Sequence, residues 1–138
     1  MINQIFVNLH VKDLDKAREF YTKLGFTINE QFSDNTAACV VISEHIFIML
    51  LTHDKFKQFT LKEISDANKT TEVLNALALE NKDQVNKMFD AALAAGGSEG
   101  RPAEDHGFMF SRAFNDLDGH IWEIFYMDMS AMPENSGH

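Results

Sequence analysis

"IFVNLHVKDLDKAREFYTKLG", residues 5–25, is the stretch from which the fold can be read. Its first seven residues are a β-type apolar run. Asp13 stands where a helix N-cap belongs, and Ala17, Phe20, Tyr21 and Leu24 then recur at helical spacing. Gly25 follows as the residue past the helix end, where a left-handed backbone is wanted. The same plan returns in "VLNALALENKDQVNKMFDAALAAGG", residues 73–97. Asn81 and Gln84 have N-cap and N3 spacing, Val85, Met88, Phe89 and Ala92 form the apolar stripe, and Gly96-Gly97 closes the helix. At an offset of 68, Asp13 falls on Asn81, Ala17 on Val85 and Tyr21 on Phe89.

Each copy is followed by three shorter β-type runs. In the first half they are "TINEQF", "AACVVIS" and "IFIMLLT"; in the second, a weak stretch around 98–102, "FMFSRAF" and "IWEIFYM". "SEHIFIML" (43–50) matches "DGHIWEIF" (118–125) at an offset of 75. The chain therefore reads as an α+β protein of two paired βαβββ modules, residues 1–51 and 73–128. A linker over 52–72 carries a short helix in which Phe56, Phe59 and Ile64 suggest packing, and 129–138 reads as a mobile tail. Each module has one helix for one sheet face. Side by side, two modules form a curved mixed sheet with helices on the convex side and a cavity on the concave side, a natural place for a small ligand.

Bulk composition narrows the function. The 138 residues include 12 basic and 21 acidic side chains, a net charge of −9, which argues against nucleic acid and anionic membrane surfaces as partners. A 45% hydrophobic content is that of a globular protein. Cys39 is the single cysteine, so an internal disulfide and a Cys-rich zinc site are excluded; in "AACVVIS" it reads as a buried structural thiol. The N-terminus lacks the basic region and long apolar core of a signal peptide, and the longest apolar run, "IFIMLL" (46–51), is too short to span a bilayer. A cytoplasmic location is expected. No nucleophile elbow, HExxH or Walker motif occurs, and the glycine-rich "GGSEG" (96–100) follows a helix end instead of preceding a helix start, so it is no phosphate cradle.

Glu123 stands out because it interrupts "IWEIFYM", a run apolar on both faces. An ionised carboxylate there needs a partner, and a metal ion is one common choice. Strand alternation places Phe6, Asn8 and His10 together on the cavity side of the first strand. By the same phase and the offset of 75, Ile48, Leu50, Leu74, Ala76, Ile121 and Phe125 share the concave side with Glu123. Arg112, the one arginine inside an apolar β-type run, could pair with Glu123 or another acid, or reach solvent. "GRPAEDHG" (100–107) reads as a flexible connection that could move over a cavity mouth.

"VKDLDKAREFYTKLGF" in the first module and "FNDLDGHIWEIF" at the end of the second resemble the vicinal oxygen chelate superfamily over residues 3–127. That group holds glyoxalase I, bleomycin- and fosfomycin-resistance proteins and extradiol dioxygenases. The resemblance implies small-molecule binding and a homodimer. It implies a metal held by four strand positions, which project here onto Phe6, Ile48, Leu74 and Glu123. Only Glu123 is a ligand type, so no metal is expected. His10 stands four residues from Phe6, about 13 Å along a strand, too far to share that centre at the usual register. His45 and His120 precede Ile48 and Glu123 by an odd spacing and should point away. The resemblance also implies a binding role for a basic residue near His10, which a histidine can fill when protonated or as a neutral donor.

An unpaired carboxylate in an apolar cavity resists ionisation. Glu123 then reads as a former ligand now hydrogen-bonded to the protein, or as a general base or anchor for a cationic group. The leading expectation is a small-molecule-binding protein without the usual metal ligands. The alternative is a glyoxalase-like lyase, isomerase or dioxygenase using a relocated divalent metal or Glu123 as base.

Overall fold

The computed structural model of the protein describes residues 1–131. They form two compact units, one comprising Met1–Thr70 with the turn Leu117–Gly119, the other Thr71–Asp116 with the chain from His120. Each holds a four-stranded mixed sheet, so the class is α+β with a βαβββ plan in each unit. No helix among the described residues is long and apolar enough to cross a membrane.

In the first unit, β1 (Ile5–Val11) leads to α1 (Leu14–Lys23), then β2 (Thr27–Asn29), β3 (Ala37–Ser43) and β4 (Ile46–Thr52), with sheet order β1-β4-β3-β2. The Asp13 carboxylate accepts a hydrogen bond from Lys16 N–H and caps α1, while Gly25 takes φ +105° past its end. The second of these strands is shorter than the sequence suggests. It stops at Asn29, whose side chain caps a 3₁₀ turn over Glu30–Phe32, because an Asn can satisfy the next amides and so end the ladder. After β4 comes α2 (His53–Lys57), capped by Thr52. Phe56 is half-buried there, but Phe59 is exposed, against the packing expected of it.

In the second unit, β5 (Asn75–Ala78), α3 (Lys82–Ala94), β6 (Ser98–Asp105), β7 (Met109–Asn115) and β8 (Ile121–Met127) give the order β5-β8-β7-β6. The Asn81 side chain caps α3 through Gln84 N–H, and Gln84 reaches back to Glu80 N–H, close to a capping box. The weak stretch around 98–102 is the start of an eight-residue strand. The expected flexible connection is thus mostly ladder, and the chain turns over 106–108, tied by His106 N–H to the Met109 carbonyl and by Gly107 N–H to Asp105. Of the expected tail, Met129–Ala131 form a 3₁₀ turn and the remainder lies outside the described residues.

Register fixes which side chains share a face. β1 and β4 run parallel with Phe6 opposite Phe47, Val7 opposite Ile48, Asn8 opposite Met49 and His10 opposite Leu51. One face of this sheet carries Leu9, Val11, Val40, Ile48 and Leu50, all buried together with Ala17, Phe20 and Tyr21 of α1, which packs on β3 and β4. The other face carries Phe6, Asn8, Phe47 and Met49, with His10 and Leu51 covered where α2 packs on β1 and β4. In the second unit, Phe110, Phe114, Trp122 and Ile124 are buried with Val85, Phe89 and Ala92 of α3. The opposite face carries Ala76, Ser111, Ala113, Ile121, Glu123 and Phe125.

Candidate functional site

Glu123 lies in the middle of β8 on the face away from α3, with 19% of its side chain exposed. Its partner is Arg101. Nη2 donates to Oε2 at 2.5 Å and Nε approaches Oε1 at 3.4 Å, so both carboxylate oxygens face the guanidinium fork. The same guanidinium donates to Ser111 Oγ at 3.1 Å and to the Pro102 carbonyl at 3.1 Å, with Glu104 Oε1 3.9 Å away. Glu104 in turn meets His106 Nε2 at 3.3 Å. Arg101 reaches Glu123 because β6 is irregular. Its pairing with β7 shifts on both sides of the Arg101–Ala113 pair, and Ala113 is the register partner of Glu123.

Arg112, one of the partners open to Glu123 from the sequence, is on the other face. Its guanidinium carbon stacks 3.5 Å from the Phe89 ring centroid, Nη1 donates to Asn86 Oδ1 at 3.0 Å, and Nη2 lies 3.6 Å from Glu99. Alternation makes this unavoidable: Arg112 pairs with Ile124, one residue past Glu123. Arg101 does not stand out in the sequence because 98–102 carries Gly100 and Pro102 and shows no strand period.

Ile48 is likewise on the helix-covered face, opposite in sense to Phe6, and Leu50 follows it. Phe6 stacks on Phe47 with ring centroids 4.6 Å apart. Asn8 is exposed beside Met49, with a weak contact to the Phe6 carbonyl. Leu74 precedes β5 and is exposed, while Phe125 shares the face of Glu123 as expected. His45 and His120 both sit in the turns before their strands.

These placements bear on the metal that the resemblance implies. On the α3-free face of the second unit, the residue opposite Glu123 on β5 is Ala76. On the corresponding face of the first unit, the β1–β4 pairs are Phe6 with Phe47 and Asn8 with Met49. Among the described residues no group of three or more His, Cys, Asp or Glu comes together as a metal site. With its one suitable carboxylate already engaged by a guanidinium, the donor set does not fit a divalent metal at the projected centre.

The first unit holds a pocket of about 850 Å³, within the range of small-molecule sites. His10 contributes to its lining from the end of β1. The ring of His10 meets His53 and Phe56 edge-on at 5.3 and 5.4 Å, so α2 and β1 meet through an aromatic cluster. Lys12 and Lys16 enter from the start of α1, Lys57 from the end of α2, and residues 63–68 and 117–118 form the remaining walls. The turn 117–119 is fixed against 67–68 by lack of space. A Cβ on Gly119, which has φ +91°, would stand 2.5 Å from Asn68 Oδ1 and 2.8 Å from the Ala67 carbonyl carbon. Asp118 Oδ1 accepts from Lys12 N–H at 2.8 Å and ties the turn to β1. Of this lining the sequence singles out only His10 for binding, and there as a residue of the sheet's concave side; each lysine looks like ordinary solvated surface.

Comparison with known proteins agrees with this architecture. Residues 4–43 match the family model described as Bleomycin resistance protein-like N-terminal. A hypothetical protein from S. aureus superimposes with a TM-score of 0.77 at 26% identity, covering 91% of this chain and 95% of that one. A glyoxalase/bleomycin resistance protein/dioxygenase family enzyme from Burkholderia phytofirmans gives 0.76 at 18% identity, over 88% and 96%. A glyoxalase-related enzyme from Fulvimarina pelagi gives 0.76 at 20%, over 89% and 87%. Among curated proteins, a tRNA (guanine-N(1)-)-methyltransferase from Chlamydia caviae is 31% identical over 120 residues, 87% of this chain. The chain spans only 29% of that relative's length. The chain has the fold of the vicinal oxygen chelate superfamily.

Proposed function

We propose that this chain is a small-molecule-binding protein of the glyoxalase/bleomycin-resistance type, with its ligand in the first unit's pocket and no metal at the projected centre. The observation that carries the reading is the Arg101–Glu123 pair. A cation already sits against the one carboxylate that the metal pattern retains, and it is a guanidinium from the chain itself. The same contact weakens the case for Glu123 as a general base, because both oxygens accept from Arg101 and Ser111 Oγ anchors the fork from the other side. The pocket at His10 offers concavity, volume and mixed polar and aromatic walls without using Glu123. A homodimer belongs to the same proposal, to be read as a mass in solution twice that of the 15.7 kDa chain.

The test has two arms on one preparation. Protein made without an affinity tag is incubated with zinc, nickel, manganese and ferrous ions, freed of excess, and its metal content measured. It is also screened by thermal shift against uncharged and charged small molecules, with His10→Ala as the pocket variant. Substoichiometric metal together with ligands whose shift is lost in His10→Ala is the expected result. Stoichiometric metal overturns the reading and favours a glyoxalase-like lyase, isomerase or dioxygenase with a relocated centre. Ligands unaffected by His10→Ala place binding outside this pocket and overturn it as well.

A further inference from the structure

We infer that the first unit's pocket takes a small molecule bearing a compact, multiply charged oxyanion group of the phosphate or clustered-carboxylate kind, held by Lys12, Lys16 and Lys57. This rests on the reading of that pocket as the ligand site and adds the charge of the ligand.

The pocket is lined by charges of both signs, and what separates them is how each is used. Asp13 caps α1 by accepting from Lys16 N–H. Asp66 accepts from Asn68 N–H at 3.0 Å, and its carbonyl accepts from Lys69 and Thr70 N–H, which shapes the wall at 66–70. Asp118 accepts from Lys12 N–H. These three carboxylates build the pocket by satisfying backbone donors. The three lysines do the opposite. Among the described residues, no ion pair or side-chain hydrogen bond engages the ammonium of Lys12, Lys16 or Lys57. Of the lining acids only Glu63, exposed on the loop after α2, has no such structural duty.

The lysines also come from three separate places: the connection between β1 and α1, the first turn of α1, and the last turn of α2. Surface lysines on one helix face diverge into water, whereas these border one concavity, whose low-dielectric walls concentrate their field. The first turn of α1 adds the positive end of a ten-residue helix. A bare oxyanion fills little of about 850 Å³, so the anion is one group of a larger molecule. Its body would lie on the edge-packed rings of His10 and His53 and against Ile64 and Leu117.

The experiment titrates inorganic phosphate, pyrophosphate and a tricarboxylate into the full chain at constant ionic strength, with chloride as control, following backbone amide shifts by NMR. Lys12→Ala, Lys16→Ala and Lys57→Ala are compared with Lys87→Ala, an exposed lysine on α3. Saturable shifts around residues 12–16 and 57, weakened about fivefold by each pocket variant and unchanged by Lys87→Ala, support the proposal. Response to phosphate and pyrophosphate but not the tricarboxylate assigns a phosphoryl group, and the reverse assigns carboxylates. No saturable shift, or equal weakening by Lys87→Ala, overturns it. If uncharged molecules from the thermal screen still need His10 but ignore the lysines, the charge assignment fails and the pocket reading survives. If nothing binds in either experiment, both fail.

Discussion

The two units share a plan and differ in what they place on the sheet face that their long helix leaves free. In the first, that face pairs Phe6 with Phe47 and Asn8 with Met49, and carries His10 under α2. In the second, Glu123 and Arg101 face each other among Ala76, Ala113 and Ser111. The long-helix faces, by contrast, are alike in kind, with Phe20 and Tyr21 on one helix answered by Val85 and Phe89 on the other. The hydrophobic interior preserves the repeat because any large apolar set of the right volume fills it. The other face is free to diverge, since nothing in the packing dictates its chemistry.

The largest expected break of this comparison is at Gly119. Gly119→Val should cost about 3 kcal/mol or more, from a positive φ and a direct clash with 67–68, read as the midpoint of urea unfolding. It should also damage the pocket of the first unit while the Arg101–Glu123 pair stays intact. Next, Arg101→Met should lose about 1.5–3 kcal/mol by leaving a half-buried carboxylate unpaired, and adding Glu123→Gln should recover much of that loss. A double-mutant cycle with no coupling would mean that the pair has no energetic role. Removing the caps tests what the units have in common: Asp13→Ala and Asn81→Ala should each cost about 1 kcal/mol. Unequal losses would show that the repeat is one of form more than of stability.

The smallest effect is in acid. Asp34 is held below the ordinary carboxylate value of 3.8 chiefly by the hydroxyl and amide of Thr36. Asp105 is lowered chiefly by Gly107 N–H and by Lys82. A lowered carboxylate contributes stability above its unfolded value, and that contribution disappears as pH falls through the folded one. Both units should therefore weaken slightly below about pH 4. Asp34→Asn and Asp105→Asn should each flatten that part of the stability profile.

Helices, caps and most strands were legible in the sequence because each depends on residues within a few positions of one another. The Asp13 and Asn81 caps are of this kind. Face assignment was legible only where the connection was understood. β7 and β8 pair in unbroken register across the turn 116–120, whereas β3 and β4 join through the two-residue turn Glu44-His45 with a shift between Val41 and Ser43. Matching "SEHI" to "DGHI" therefore aligned residues that lie on opposite faces, and a one-residue slip carried Ile48 to the helix side. Arg101 was hidden for a related reason. Its strand has no period, and its partner is 22 residues away across an intervening strand. The lysine pocket needs α1, α2 and the turn 117–119 together, a juxtaposition that no local pattern announces.

β6, whose irregular pairing aims Arg101, is also the free edge of its sheet. An edge strand offers a row of unpaired amides to any passing chain. This one interrupts that row: Pro102 has no N–H to give, the register shifts twice, and Glu99, Glu104 and Asp105 crowd it with negative charge. A strand from a second molecule would find neither a continuous ladder nor a neutral surface. The distortion that pairs one carboxylate thus also leaves this edge a poor template for a strand from a second molecule.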